Sequence, residues 1–229
     1  MESLHAGVIT DGPQPSGDRP QDRSVHSIGS PRMGQRLVAR PKRRKAASPD
    51  ARQAVQTASL SVFDTELGWF GLVGRGEVVM RVMIGHASAA QVRSAAAREL
   101  ESRGAGAPLL ESDWNPSLRR KFQDFARGIP IDFADVQIEI DSCTPFRRRV
   151  LQLARKIGYG RTVAYGELAA RAGNARAARA IGAVMASNPL PIIVPCHRVV
   201  ASGGAIGGFS APHGIELKKR LLEMEATAR

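Results

Sequence analysis

The stretch YGELAARAGNARAARAIGAVMAS, running from Tyr165 to Ser187, decides how the rest of the chain is read. Tyr165 to Ala172 reads as a short helix closed by Gly173-Asn174, and a second helix follows from Ala175 to about Ser187. Two short helices joined by a tight turn containing glycine make a helix-turn-helix candidate. Rotating the second helix by about 100° per residue puts Ala177, Ala178, Ile181, Val184 and Met185 on one side, a normal core stripe. The other side holds Ala175, Ala180, Ala183, Ala186 and Ser187, with only Arg176 and Arg179 protruding. A solvated face usually spreads Glu, Lys and Gln there. Small side chains permit close approach, and two guanidinium groups among alanines suit a nucleic-acid groove, reaching phosphates or replacing a base in the stack. An alanine-rich helix chosen for propensity alone gives the same composition.

Upstream, Phe146, Val150, Leu153 and Ile157 recur at helical spacing, Gly158-Tyr159-Gly160 ends that helix, and Thr162 is placed to cap the next. Farther back, residues 59–63, 70–73 and 78–84 read as short strands, the first two joined by the turn-prone Leu67-Gly68, and predict a small antiparallel sheet. Helices are expected over Ala89 to Ser102 and around Pro116 to Arg127, and Asp135 to Ile140 alternates like a strand. The fold class is therefore α+β. Three segments are expected: a disordered basic tail over 1–58, an N-terminal α/β domain over 59–142 and a helical C-terminal domain over 143–229.

The 229 residues carry 33 Lys and Arg against 21 Asp and Glu, a net charge of +12, which favours an anionic partner. Counted through Arg52, the tail holds ten basic and five acidic residues, with a cluster at Arg40 to Lys45 that suits non-specific polyanion contact. The remainder is still basic by seven charges, so the partner argument does not rest on the tail. Hydrophobic residues at 43% exclude wholesale disorder, and no run reaches the roughly 18 apolar residues of a membrane span. No membrane partner and no secretory signal are expected, which places the chain in the cytoplasm. Two cysteines, Cys143 and Cys196, supply neither a disulfide framework nor a four-thiolate zinc site, so no metal and no cofactor are expected and sulfur chemistry falls to a single thiol.

That thiol is Cys196. The run Asn188-Pro189-Leu190-Pro191-Ile192-Ile193-Val194-Pro195-Cys196-His197-Arg198-Val199 is apolar between prolines and ends at adjacent Cys and His. A buried cysteine is ordinarily an inert small hydrophobe. Beside an imidazole it becomes a nucleophile, provided a third group holds the ring in the right tautomer. The last helix, Gly214 to about Ala226, offers one: Leu217, Leu221, Leu222 and Met224 occupy one half, Glu225 falls between Leu221 and Leu222, and Glu223 falls on the polar side. A carboxylate directed into an apolar stripe must be paired, which selects Glu225 over Glu223, unless it frays into solvent at the helix end.

Pro195-Cys196-His197-Arg198-Val199, with Asn188-Pro189-Leu190-Pro191 and the Ala177-Ala178-Arg179-Ala180 helix before it, resembles the O6-alkylguanine-DNA alkyltransferases, the methylated-DNA–protein-cysteine methyltransferases. The likeness runs from about Thr144 to Ala226 and more weakly back to Leu60. It implies a ribonuclease-H-like N-terminal domain, a winged helix-turn-helix in the C-terminal DNA-binding and alkyl-transfer domain, and a monomer working on double-stranded DNA in the cytoplasm or nucleoid. The implied reaction is DNA repair by direct reversal, in which the base is flipped through the minor groove and the alkyl group of O6-guanine, and of O4-thymine, passes once to Cys196. His197 and Glu225 match the hydrogen-bond network of that cysteine, Asn188 the link to the recognition helix, and Tyr165 the hydroxyl that protonates the leaving guanine at N3. Arg179 matches the residue that enters the stack. Ser210 matches the donor to O6, the backbone carbonyls at Cys196 and Val199 those that hold the exocyclic amine, and Met185, Gly207 and Phe209 the pocket. Arg176, Ala177, Ala178, Ala180 and Gly182 match the DNA-facing positions. Phe209 stands where many members have Tyr, and Ala211-Pro212-His213 makes the following loop about two residues longer than in some members.

Three other readings compete. A non-enzymatic lesion sensor typically lacks the cysteine, a papain-like hydrolase separates Cys and His in sequence and has no use for a basic helix-turn-helix, and a transcriptional regulator needs a second, cysteine-rich sensing domain that this sequence lacks.

Overall fold

The computed structural model describes residues 57–102, 108–140 and 143–227. The basic tail expected over 1–58, with its Arg40 to Lys45 cluster, lies outside the described residues apart from its last two positions. Three strands, β1 (Ala58–Thr65), β2 (Gly68–Arg75) and β3 (Val78–His86), form an antiparallel meander in which Phe63 lies opposite Phe70. Helix α1 (Ala89–Glu101) follows, with the Ser88 hydroxyl accepting from the Gln91 N–H as its N-cap. Its Val92 comes so close to the sheet that a Cβ on Gly71 would meet it at 2.4 Å, so only glycine fits there. The expectation of an antiparallel sheet needs correction: a fourth strand, β4 (Leu109–Glu111), pairs in parallel with the edge of β1, and the sheet is mixed, in order β3-β2-β1-β4. Three residues are too few to show a period of two, so the sequence carries no signal for β4.

Helix α2 (Pro116–Ala126) has Asn115 as N-cap and packs Phe122 and Phe125 against Phe70 and Phe133 on the face of the sheet away from α1. The strand expected over Asp135 to Ile140 reduces to one parallel bridge, Val79 with Ile138, because β3 offers that segment backbone partners only at Val79. Helix α3 (Pro145–Arg155) starts at the Thr144 cap and buries Val150, Leu151 and Ala154. The expectation that Thr162 caps the next helix is not met. Val163–Ala164 instead form β5, which pairs in parallel with β6 (Val199–Val200), and α4 (Tyr165–Arg171) begins with no side-chain cap.

Helix α5 (Ala178–Ala186) starts three residues later than its periodicity suggests. The Asn174 side chain accepts from the Arg176 N–H and its carbonyl from the Ala177 N–H, so a turn occupies the approach. Helix α6 (Gly214–Thr227) closes the chain. One continuous core joins the sheet, through Phe70, Leu72 and Ile84, to Val150, Leu168, Ile181 and Leu221 of the helices and to Cys196. The Val82 N–H also donates to the Pro189 carbonyl at 3.0 Å, which ties the loop after α5 to β3. Among the described residues no helix is long and apolar enough to cross a membrane.

Candidate active site

The loop from Asn188 to Pro195 is buried, with Leu190, Ile192, Ile193 and Val194 each at most 2% exposed. Ile192 holds φ +74°, a conformation that β-branched residues rarely adopt, so surrounding contacts impose the path of the loop. Asn188 does part of that work: its amide donates to the Val194 carbonyl at 2.7 Å while its side-chain oxygen accepts from the Leu190 N–H at 3.1 Å. The loop delivers Cys196, 5% exposed, to the start of a single 3-10 turn.

Burial pushes the Cys196 thiol up from its ordinary range, and a hydrogen bond with the Asn188 side chain and the charge of Lys218 pull it back only in part. The resting group is therefore the thiol. Among the described residues no direct hydrogen bond joins the His197 imidazole to the sulfur, and the far side of the ring reaches α6. Its Nε2 lies 2.8 Å from Glu225 Oε1, and the edge of Phe125 packs against the ring. Burial holds His197 below its ordinary range, so the ring is neutral, with Glu225 pulling the other way. Burial pushes the Glu225 carboxyl up, but hydrogen bonds from His197 and Arg198, and the charge of Arg198, outweigh this and hold it at about 2. An ionised carboxylate only accepts, so Nε2 carries the imidazole proton and Nδ1 presents a lone pair. Nδ1 is buried and meets no protein partner among the described residues, which leaves a base free to take a proton.

Glu225 is 1% exposed and Glu223 is exposed, as the rotation of the helix requires. Its other partners are the Gly160 N–H at 3.0 Å and the Arg198 guanidinium, Nε to Oε2 at 2.9 Å and Nη2 to Oε1 at 2.9 Å. Arg198 also donates to the Ile157 carbonyl and lies over the Tyr159 ring. Sequence reasoning assigned Arg198 no role, although a buried carboxylate demands a buried cation. Lys218 was missed too. It is fully buried, donates to the Val199 carbonyl at 2.7 Å, sits 5.7 Å from the centre of the Tyr165 ring and forms no ion pair among the described residues. Lys218 and Glu225 are seven residues apart, within about 20° on a helix, so the rotation that singles out Glu225 also singles out Lys218.

Tyr165 completes the surroundings of the thiol. Burial, then the charge of Cys196, raises its hydroxyl above the ordinary range, so it stays protonated. A Cβ on Gly207 would fall 2.7 Å from that hydroxyl, which explains the glycine in the loop facing it. Phe209 is half-buried against the core, and Met185 and Val199 are buried on the inner side. Ser210 stands apart: its hydroxyl donates to the Ala186 carbonyl at 2.7 Å, so the donor that the resemblance assigns to O6 is engaged at the end of α5.

On α5, Arg179, Ala180, Ala183, Ala186 and Ser187 are exposed, while Ile181, Val184 and Met185 are buried. Arg176, in the turn before the helix, is exposed as well, Ala177, Ala178 and Gly182 are intermediate, and nothing would obstruct a Cβ at Gly182. A surface can thus approach the α5 backbone closely, with two arginines flanking it.

Residues 145–227 match the family described as 6-O-methylguanine DNA methyltransferase, DNA binding domain. A methylated-DNA–protein-cysteine methyltransferase of Methanopyrus kandleri is 47% identical over 110 residues, which are 48% of this chain and 79% of that protein. Its counterpart in Methanothermobacter thermautotrophicus is 41% identical over 104 residues, 45% of this chain and 57% of the relative's length. The crystal structure of Mycobacterium tuberculosis OGT in complex with DNA superposes with a TM-score of 0.59 at 28% identity, covering 74% of this chain and 94% of that one.

Proposed function

The chain belongs to the methylated-DNA–protein-cysteine methyltransferase family, DNA-repair proteins that move an alkyl group from O6-methylguanine in DNA to a cysteine, and we propose that the acceptor in this chain is Cys196. The observation that carries the reading is the company of the thiol: a buried cation, a protonated tyrosine and a carboxylate-oriented imidazole around one cysteine, beside a helix with a small-residue face. The chain acts as a monomer on duplex DNA in the cytoplasm or nucleoid, with residues 59–142 as supporting domain and 143–229 as the working one.

The thiol gives up its proton through an intervening water to the lone pair of His197 Nδ1, the available base. The thiolate attacks the sp³ carbon on O6; the S–C bond forms, the O6–C bond breaks, and its electron pair leaves with the purine. The Tyr165 hydroxyl supplies the purine with a proton, so that it departs neutral, and the thiol's proton balances the exchange. The product is a thioether, which has no good leaving group and no water-activating partner, so each molecule reacts once. Lys218 faces the sulfur as it becomes an anion and stabilises it. Arg179 fills the space of the flipped base and offsets the few kcal/mol that flipping costs.

Two measurements follow. Replacing Lys218 with Met removes the cation but keeps the bulk, so transfer at neutral pH is expected to fall about tenfold and the rising limb of its pH profile to move about one unit to higher pH. An unmoved profile would deny Lys218 its part. Arg179→Ala is expected to slow repair of methylated duplex at least about tenfold while leaving reaction with free O6-benzylguanine nearly unchanged. Equal loss on both substrates would contradict the assignment of Arg179 to the stack.

A further inference from the structure

Charge is distributed unevenly along this chain. In the N-terminal part Arg81, Arg93, Arg119, Lys121 and Arg127 each meet a carboxylate. From residue 142 to residue 215 the only acid is Glu167, and it is paired with Arg171 on α4. Some of the cations in this stretch are explained: Arg198 holds Glu225, Arg155 donates to the carbonyls of Phe133, Ala134 and Val136, and Arg147 is bound to Ser187. Arg176 and Arg179 belong to the α5 face. What remains is Arg161, exposed in the turn before β5, and a ridge on α3 that the repair reaction does not use.

Arg148, Arg149, Gln152 and Lys156 are all exposed, and they line one side of an open trough of about 690 Å³. None of the three cations is in an ion pair with a described residue; the one contact among them is a 3.4 Å bond from Arg149 to the Arg171 carbonyl. Arg148, Gln152 and Lys156 follow each other at intervals of four, so they form a single row along the helix. Arg148 and Lys156 are about 12 Å apart along the axis, too far to share one small anion but suited to a backbone of repeated charges.

We propose that this ridge of α3 is a second contact for the DNA phosphate backbone, distinct from the groove-facing surface of α5. The inference rests on the reading that the chain binds duplex DNA. It adds a sequence-independent hold that binds undamaged and damaged DNA alike, because phosphates carry no base information. The partner it fits is a regularly spaced polyanion, and the uniform sign of the ridge rejects basic or apolar surfaces.

The test compares the full chain with its Arg148→Gln/Lys156→Gln variant on an undamaged duplex of about 30 base pairs, measuring affinity from low to moderate salt. Each lost phosphate contact should reduce the slope of log K against log salt by about 0.9, so a reduction near 2 is expected. Arg176→Gln gives the size of a single loss on the α5 side, and an unchanged thermal midpoint shows that the variant folds. An unchanged slope overturns the proposal and leaves the ridge to an acidic protein or a free polyphosphate. Because the duplex is undamaged, this result is independent of alkyl transfer: failure to transfer would sink the assignment of Cys196 and leave the ridge standing, whereas a chain that binds no duplex at all would sink both.

Discussion

Replacing Cys196 with Ser is expected to reduce alkyl transfer below detection, on methylated duplex and on free O6-benzylguanine alike, while affinity for methylated duplex stays within about twofold of the parent. The expectation of total loss follows from chemistry. Displacement at an sp³ carbon needs a strong nucleophile, and a serine hydroxyl at neutral pH is neither ionised nor as polarisable as sulfur. The surroundings of Cys196 have no substitute within reach. Tyr165 is held protonated, His197 turns its Nε2 to Glu225, and Lys218 is engaged with the Val199 carbonyl. The expectation of retained binding follows from geometry: the thiol is 5% exposed, while the surface we propose for DNA is the exposed outer face of α5 with its arginines. Quantitative transfer by the Ser variant would remove Cys196 from the reaction, and loss of binding together with transfer would mean that the residue has a structural role.

The second large effect is expected at Glu225. Gln keeps the size of the side chain and an oxygen for the His197 N–H, but it removes the charge and turns an NH₂ group toward the N–H groups of Arg198. A buried cation left without its carboxylate costs about 3–5 kcal/mol, a large part of the 5–15 kcal/mol that typically holds a domain together. Glu225→Gln is therefore expected to lower the unfolding free energy by that order and to slow transfer at least a hundredfold. Glu223→Gln, on the exposed side of α6, should change stability by less than about 0.5 kcal/mol and leave transfer unchanged. Transfer rates corrected for the folded fraction separate the loss of positioning from the loss of fold.

The same carboxylate gives a pH signature. Its folded pKa of about 2 lies below the unfolded value near 4.3, so its contribution is fully present above about pH 4.3 and disappears as pH falls toward 2. Denaturant unfolding at a series of pH values should show this decline of about 3 kcal/mol in the parent and a flatter curve in Glu225→Gln. Equal effects of the two Glu substitutions would undo the argument from the helix face.

How much of this was legible beforehand depended on the range of the forces involved. Short-range periodicity sufficed for α5 and α6: the stripe of Ile181, Val184 and Met185 and the inward turn of Glu225 follow from residue spacing alone. The one N-cap expected from sequence, Thr162, was misread, because pairing of Val163 with Val199 across 36 residues took over the segment, while the caps at Ser88, Asn115 and Thr144 were not singled out. The parallel pairing of β4 with β1 is likewise non-local and left no pattern in three residues. At the site, adjacency of Cys196 and His197 in sequence suggested a direct couple. The 3-10 turn at Cys196 sends the imidazole to α6, and the electrostatic neighbours of the sulfur come instead from Asn188 and Lys218. Lys218 escaped notice because lysine is ordinarily a surface residue; its position on the stripe of Leu221 and Glu225 was the available signal.

The most direct test of the account is the intact mass of the protein after incubation with an excess of duplex containing O6-methylguanine, followed by peptide mapping. The account predicts a gain of one methylene unit per molecule, no further gain with time, and the whole of the label on the peptide containing Cys196. An unchanged mass, or a label carried by Cys143, would contradict it.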